Sequence, residues 1–220
     1  MVLELYYMPE SSPCRAVMLT AKAIDVQLDL KLVDLEKGEN MAPTFVAMNP
    51  QHTVPTLNDD GFVLWESRAI MTYLVNRYGK DDKLYPKDPK QRAVVDQRLY
   101  FDMGTLYQRL GDYVYPPVFE GQTLDEEKLK KCVEALGWLE EFILKSGGKY
   151  CAGEHLTLAD VAIVASVSTM EPVGLVDLSA YKNVRKWLER CKKEIPGYQE
   201  VSKDGIDSWV KYAKSKLEKV

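Results

Sequence analysis

A small α/β domain followed by an all-helical one is the architecture this 220-residue sequence predicts. Three observations carry that prediction. Strand-like and helix-like patterns alternate over the first 78 residues, a stretch rich in glycine, proline and charge interrupts the chain at 79–90, and helical periodicity follows.

Leu3 to Met8 reads as a strand. Pro13 to Ile24 reads as a mostly apolar helix entered through proline, whose fixed φ suits a first turn. Leu28 to Val33 alternates apolar and polar residues, the period-two mark of a second strand. Pro55–Leu57 and Phe62–Trp65 flank Asn58-Asp59-Asp60-Gly61, which is hairpin turn chemistry. Ser67 to Tyr78 then sets Ile70, Tyr73, Leu74 and Tyr78 at helical spacing. A β-α-β unit followed by β-β-α is the order of a thioredoxin-like domain. Residues 1–80 are assigned to it, 81–90 to a linker and 91–220 to the helical domain. In the latter, Val95, Leu99, Met103, Leu106 and Leu110 form an apolar stripe on one long helix, and Leu129, Val133, Leu136 and Leu139 suggest another. Thr157-Leu158-Ala159-Asp160 is a capping box with a shortened acid, opening a buried helix.

Composition narrows the function. With 46% hydrophobic and 28% charged residues, a chain of this length can bury a core without disulfides or metals. A net charge of -4 argues against a nucleic-acid partner, which would need a basic face. The most apolar stretch, Val161 to Val167, is far short of the roughly 20 residues that span a bilayer, so no membrane association is expected. Glu4 stands where a signal peptide would carry a basic region, and the four cysteines are scattered. Both fit a cytoplasmic protein with reduced thiols.

The candidate chemistry lies where the first strand meets the first helix. Such a junction aims unpaired backbone N–H groups at the turn. Thioredoxin-like folds place a Cys-x-x-Cys pair there, with the helix end stabilising a thiolate. Here the same spacing reads Ser11-Ser12-Pro13-Cys14, so dithiol redox chemistry is excluded at this turn. What remains is to stabilise a thiolate supplied by another molecule. A thiol of pKa about 8.5 is only about 3% ionised at pH 7, and lowering that pKa by about two units makes it mostly thiolate. The plainer alternative is that Ser11 and Ser12 cap the helix.

Four blocks stand in order along the chain: Tyr6-Tyr7-Met8-Pro9 with Ser11-x-Pro13-Cys14-Arg15; Asn49-Pro50-Gln51-His52-Thr53-Val54-Pro55-Thr56-Leu57; Leu64-Trp65-Glu66-Ser67-Arg68-Ala69-Ile70; and Gln97 to Tyr107. On these blocks the whole chain resembles the cytosolic glutathione transferases, specifically the insect-type delta class with epsilon as a near neighbour. The resemblance implies the cytosolic glutathione transferase fold, with glutathione as cosubstrate and Ser11 as the hydroxyl that ionises its thiol. It implies a cis Val54–Pro55 bond that turns the Val54 N–H and C=O outward to pair with the middle of glutathione, as an added strand would. Thr53 lies in the same loop, Asn49 supports it, and His52 contacts the glycyl end. Asn40 stands where many delta members carry histidine. It can donate to a carboxylate but bears no charge, so glycyl-end binding is expected to be weaker.

At the other end of glutathione, the resemblance assigns Ser67 and Arg68 to the γ-glutamyl carboxylate and Glu66 to the amino group. Asp102, a carboxylate on an apolar stripe, needs a partner. The resemblance puts it near Arg68, in the same or the other subunit, with a plain interdomain ion pair as the alternative. The hydrophobic substrate pocket draws on Met8, Tyr107, Tyr115 and Phe119, with Trp209 or Tyr212 from the C-terminal helix. Core packing is the competing reading of those side chains. No Gly-rich phosphate loop, nucleophile elbow or zinc spacing occurs, so neither a nucleotide nor a metal is expected. The family further implies a homodimer, detoxifying conjugation of hydrophobic electrophiles, and peroxidase or dehydrochlorinase side activity. A non-catalytic carrier of apolar ligands and a scaffold module are the rivals. The intact Ser11 and Glu66-Ser67-Arg68 argue against both.

Overall fold

The structure is a computed structural model that describes residues 2–218. β1 (Leu3–Tyr7) turns Leu3 and Leu5 into the core and leaves Glu4 and Tyr6 half-buried, as its period-two pattern requires. It runs through a four-stranded sheet of order β2-β1-β3-β4. β2 (Asp29–Leu32) lies parallel to it, β3 (Thr56–Asp59) antiparallel on the other side, and β4 (Phe62–Trp65) antiparallel to β3. Leu5 stands opposite Leu57 in register, and both are fully buried. α1 (Ser12–Ala23) and α3 (Ser67–Tyr78) pack together, and Val17, Leu19, Ile70 and Leu74 complete this core. The short α2 (Pro43–Met48) lies between β2 and β3. This is the expected thioredoxin-like arrangement.

The hairpin turn is tighter than its sequence suggested. Asn58 and Asp59 belong to β3, leaving Asp60-Gly61 as a two-residue turn. Both take positive φ (51° and 93°), and the Gly61 N–H donates to Asn58 Oδ1 at 2.9 Å.

Helices alone follow the linker among the described residues: α4 (Pro89–Phe101), α5 (Tyr107–Glu120), α6 (Glu126–Lys145), α7 (Leu158–Met170), α8 (Lys182–Glu194) and α9 (Tyr198–Leu217), with short single turns between some of them. Two expectations are corrected here. The long helix is not continuous, because a π-helical turn at Asp102–Leu106 joins α4 to α5. A π turn spends an extra residue per turn and shifts the phase of everything beyond it. Asp102 thereby takes the inward position between Leu99 and Leu106, and Met103, assigned to the stripe, is exposed. On α6 the inward series is Cys132, Leu136, Leu139 and Ile143, so Val133 faces outward.

α7 is buried along its whole length and packs against α1, α4 and α8. Its capping box is closed by Asp160, whose fully buried carboxylate accepts from Thr157 N (2.9 Å), Thr157 Oγ1 (3.0 Å), Cys151 N (2.8 Å) and Trp187 Nε1 (2.8 Å). One side chain thus ties the α6–α7 connection, α7 and α8 together.

Candidate active site

Pro13 stands in the first turn of α1, where its fixed φ suits the helix entry. Ser11 is the cap: its φ and ψ are extended (-74° and 114°), and its Oγ accepts from the Cys14 N–H at a long 3.4 Å. Ser12, read from the sequence as a cap residue, is the first helical residue instead. Its hydroxyl is buried without a partner. Capping leaves Ser11 chemically free, because a hydroxyl has two acceptor lone pairs and one donor proton, and the cap uses only a lone pair. The proton can still be given to an anion in front of the helix. Cys14, one turn further on, is fully buried, and burial pushes its thiol up to about 11. It stays protonated at neutral pH and is no competing nucleophile.

Ser11 borders a cavity of about 640 Å³ between the two domains. The structure brings eleven of the expected residues to it: Met8, Ser11, Asn40, His52, Thr53 and Val54 from the α/β domain, and Tyr107, Tyr115, Phe119, Trp209 and Tyr212 from the helices. Tyr6 and Tyr7 of β1 are not in its wall, so Ser11 is the hydroxyl at the strand–helix junction that faces it. The helical wall is one aromatic cluster. Tyr115 packs edge-on to Trp209 at 5.9 Å, Phe119 lies 5.9 Å from Trp209, and Trp209 stacks on Tyr212 at 6.5 Å. Tyr115 also donates its hydroxyl to Tyr107 at 3.0 Å. Burial raises the pKa of both phenols, so both remain neutral.

The loop before β3 is held from below by Asn49, whose side chain is fully buried. Its Nδ2 donates to Thr53 O (3.1 Å) and Thr56 Oγ1 (2.9 Å), and its Oδ1 accepts from Gln51 N (3.0 Å). The Val54–Pro55 bond is cis, and Val54 precedes the β1–β3 ladder, which begins at Thr56. Asn40 spends one amide hydrogen on the His52 carbonyl at 2.9 Å, so it orients this loop and keeps a second hydrogen to offer.

Asn49, Pro55, Glu66, Ser67, Arg68 and Asp102 are not part of the cavity wall. Glu66, Ser67 and Arg68 open α3, where backbone N–H groups are free for an anion. Glu66 takes φ 70° and ψ 102°, a backbone costly for a residue with a side chain and found where function demands it. Arg68 is tied to Asp102 of the same chain through Nε and Nη2, with Nε 3.1 Å from Oδ2. Its Nη1 donates to Ser67 Oγ at 2.7 Å. The guanidinium also lies 5.5 Å from the centre of the Tyr107 ring. The ion pair therefore joins the start of α3 to the π turn, and the ring contact with Tyr107 links Arg68 to the cavity wall. Among the described residues no group of three or more His, Cys, Asp or Glu side chains is placed to hold a metal ion.

Three contacts here were not singled out from the sequence. Glu10 and Ser208 meet across the cavity rim at 2.6 Å, Thr169 of α7 enters the wall, and Gly205 of α9 lies against the loop before Ser11. A Cβ at Gly205 would stand 2.1 Å from the Pro9 carbonyl oxygen, which is backbone and cannot yield cheaply. Gly205→Ala is therefore expected to cost about 1–3 kcal/mol in denaturant unfolding and to lower turnover by moving the Ser11 loop. Wild-type values of both would show that α9 does not set that loop.

Comparison with known proteins shows which proteins the chain is similar to. Residues 1–76 match the family described as glutathione S-transferase, N-terminal domain, and residues 121–190 match glutathione S-transferase, C-terminal domain. Glutathione S-transferase D7 of Anopheles gambiae is 49% identical over 215 residues, covering 97% of each chain. A delta-class glutathione transferase of Nilaparvata lugens superposes with a TM-score of 0.94 at 56% identity, over 97% of this chain and 99% of that one. An epsilon-class glutathione S-transferase from the housefly, Musca domestica, superposes with a TM-score of 0.91 at 42% identity, over 97% and 98%.

Proposed function

The chain belongs to the glutathione S-transferase family, and on that premise we propose that it ionises the glutathione thiol through Ser11 and joins the thiolate to hydrophobic electrophiles held against the aromatic wall. It is a glutathione transferase, and its delta-class relatives are more similar to it than the epsilon-class one. The observation that carries the mechanism is the Ser11 hydroxyl, capped by its lone pair with its proton free, beside an apolar inter-domain cavity. A donor and a helix N-terminus aimed at one sulfur favour its anionic form.

Glutathione is an extended peptide and needs anchors on both sides of that sulfur. The start of α3 supplies N–H groups and Arg68 for the γ-glutamyl carboxylate, with Glu66 for the amino group. His52 and Asn40 border the cavity at the glycyl side, and Thr53, Val54 and Pro55 lie between. The thiolate forms a bond to an electrophilic carbon resting on Met8, Tyr107, Tyr115, Phe119 or Trp209, and the leaving group departs with its electron pair. Peroxide reduction and dehydrochlorination would use the same thiolate, as a nucleophile on oxygen and as a base. Detoxification as a cytoplasmic homodimer is typical of the family and is our assignment for this chain. Among the described residues no helix is long and apolar enough to cross a membrane.

S-hexylglutathione tests the arrangement, because its peptide and its alkyl chain fill both halves of the site at once. It is expected to compete with glutathione and with a chloronitrobenzene in steady-state conjugation. Inhibition that competed with neither would contradict it.

A further inference from the structure

Arg15 is fully buried, yet it takes part in none of the ion pairs found among the described residues. Its guanidinium donates to the Pro9 carbonyl and to the Thr169 hydroxyl, both neutral, and its Nε has no partner. A buried ion without a countercharge is among the costliest features a fold can carry. Burial lowers the Arg15 pKa, but a group as basic as guanidinium keeps its proton at neutral pH.

The groups facing it do not balance that charge. Cys14 on its own helix is pushed up to about 11 by burial, and Tyr115 from α5 and Tyr198 from α9 are likewise raised and neutral. Glu10 is a carboxylate whose charge reaches it, but Glu10 makes no ion pair with it and is turned to Ser208 at the rim. One acceptor of the guanidinium, Thr169, lies in the cavity wall, and the other, Pro9, belongs to the loop that leads to Ser11, between the wall residues Met8 and Glu10. A positive charge with no ion-pair partner among the described residues therefore lies behind the Pro9 loop and Thr169.

We propose that Arg15 is a positioning residue whose missing countercharge is the glutathione thiolate: its field, acting across the Pro9 peptide and Thr169, adds to Ser11 in lowering the thiol pKa. This rests on the reading of Ser11 given above. A lysine would carry the charge but not the paired donors that hold the Pro9 loop.

The test follows the ultraviolet band of the thiolate across pH for glutathione bound to wild type, Arg15→Lys, Arg15→Gln and Thr169→Glu. The wild-type midpoint is expected well below that of free glutathione, with Arg15→Lys close to it. Arg15→Gln removes the charge, and Thr169→Glu supplies an internal countercharge. Each is expected to raise the midpoint by about one unit, as loss of one nearby charge does. For the two Arg15 variants, binding of S-methylglutathione, which has no ionisable thiol, should change by less than about threefold, as a shift in thiol acidity alone requires. A folded Arg15→Gln protein with the wild-type midpoint would make Arg15 a structural tie and overturn the proposal. If that variant fails to fold, an unmoved midpoint in Thr169→Glu overturns it equally. A wild-type midpoint at the free-glutathione value would instead defeat the Ser11 reading itself.

Discussion

Ser11→Ala is expected to lower kcat for conjugation of a chloronitrobenzene by about 10²- to 10³-fold at neutral pH, the loss typical of removing one donor to an anionic reaction centre. Glutathione affinity should change far less, because the anchors proposed for the peptide at His52, Val54 and the start of α3 are untouched. The sign of the pH dependence is fixed by the direction of the shift. A thiol whose pKa is lowered in the complex is thiolate above that lowered value and thiol below it. Wild type therefore holds its rate at neutral pH and loses it as pH falls through the bound pKa. In Ser11→Ala the midpoint moves toward the free value, so the deficit is largest near neutrality and narrows as pH rises past about 8.5. The substitution also removes a helix cap, at a cost of about 1 kcal/mol of stability. Ser11→Thr keeps both cap and hydroxyl and separates the two effects.

Asp160→Ala is the substitution with the largest expected effect on stability. Four donors converge on this fully buried carboxylate, two of them backbone N–H groups. Truncation leaves them without an acceptor in a dry interior, where each orphaned group costs about 1–3 kcal/mol. A loss of about 4 kcal/mol or more is expected in denaturant unfolding, enough to leave many domains of this size largely unfolded at body temperature. Asp160→Asn keeps one acceptor oxygen and should lose less. An Asp160→Ala loss under about 1 kcal/mol would mean that water or a shifted backbone satisfies the donors instead.

The α/β domain was legible because its signals are local. Period-two alternation in Leu3–Tyr7, a proline at the start of α1 and turn residues between β3 and β4 each act within a few positions. The strand boundary at Asn58 and Asp59 was missed because turn-forming residues also sit at strand ends when only Asp60 and Gly61 need positive φ. The π turn left no mark in composition, so a 3.6-residue period carried across it kept Met103 on the stripe beside Asp102, and only Asp102 is inward. Val133 failed for a related reason: Cys132, small and apolar, claims the inward place one residue earlier. Ser11, Val54 and Tyr115, singled out through family resemblance joined to simple chemistry, line one cavity. The roles that went unread belong to Arg15 and Gly205. An arginine on a helix ordinarily faces solvent, and nothing local shows that α7 and α9 close over this one.

The most direct test of Ser11 as the thiol-activating group is the thiolate titration of bound glutathione in wild type beside Ser11→Ala. The account predicts a wild-type midpoint about two units below that of free glutathione, and a Ser11→Ala midpoint raised most of the way back. Equal midpoints in the two proteins would contradict it, whatever the turnover of either.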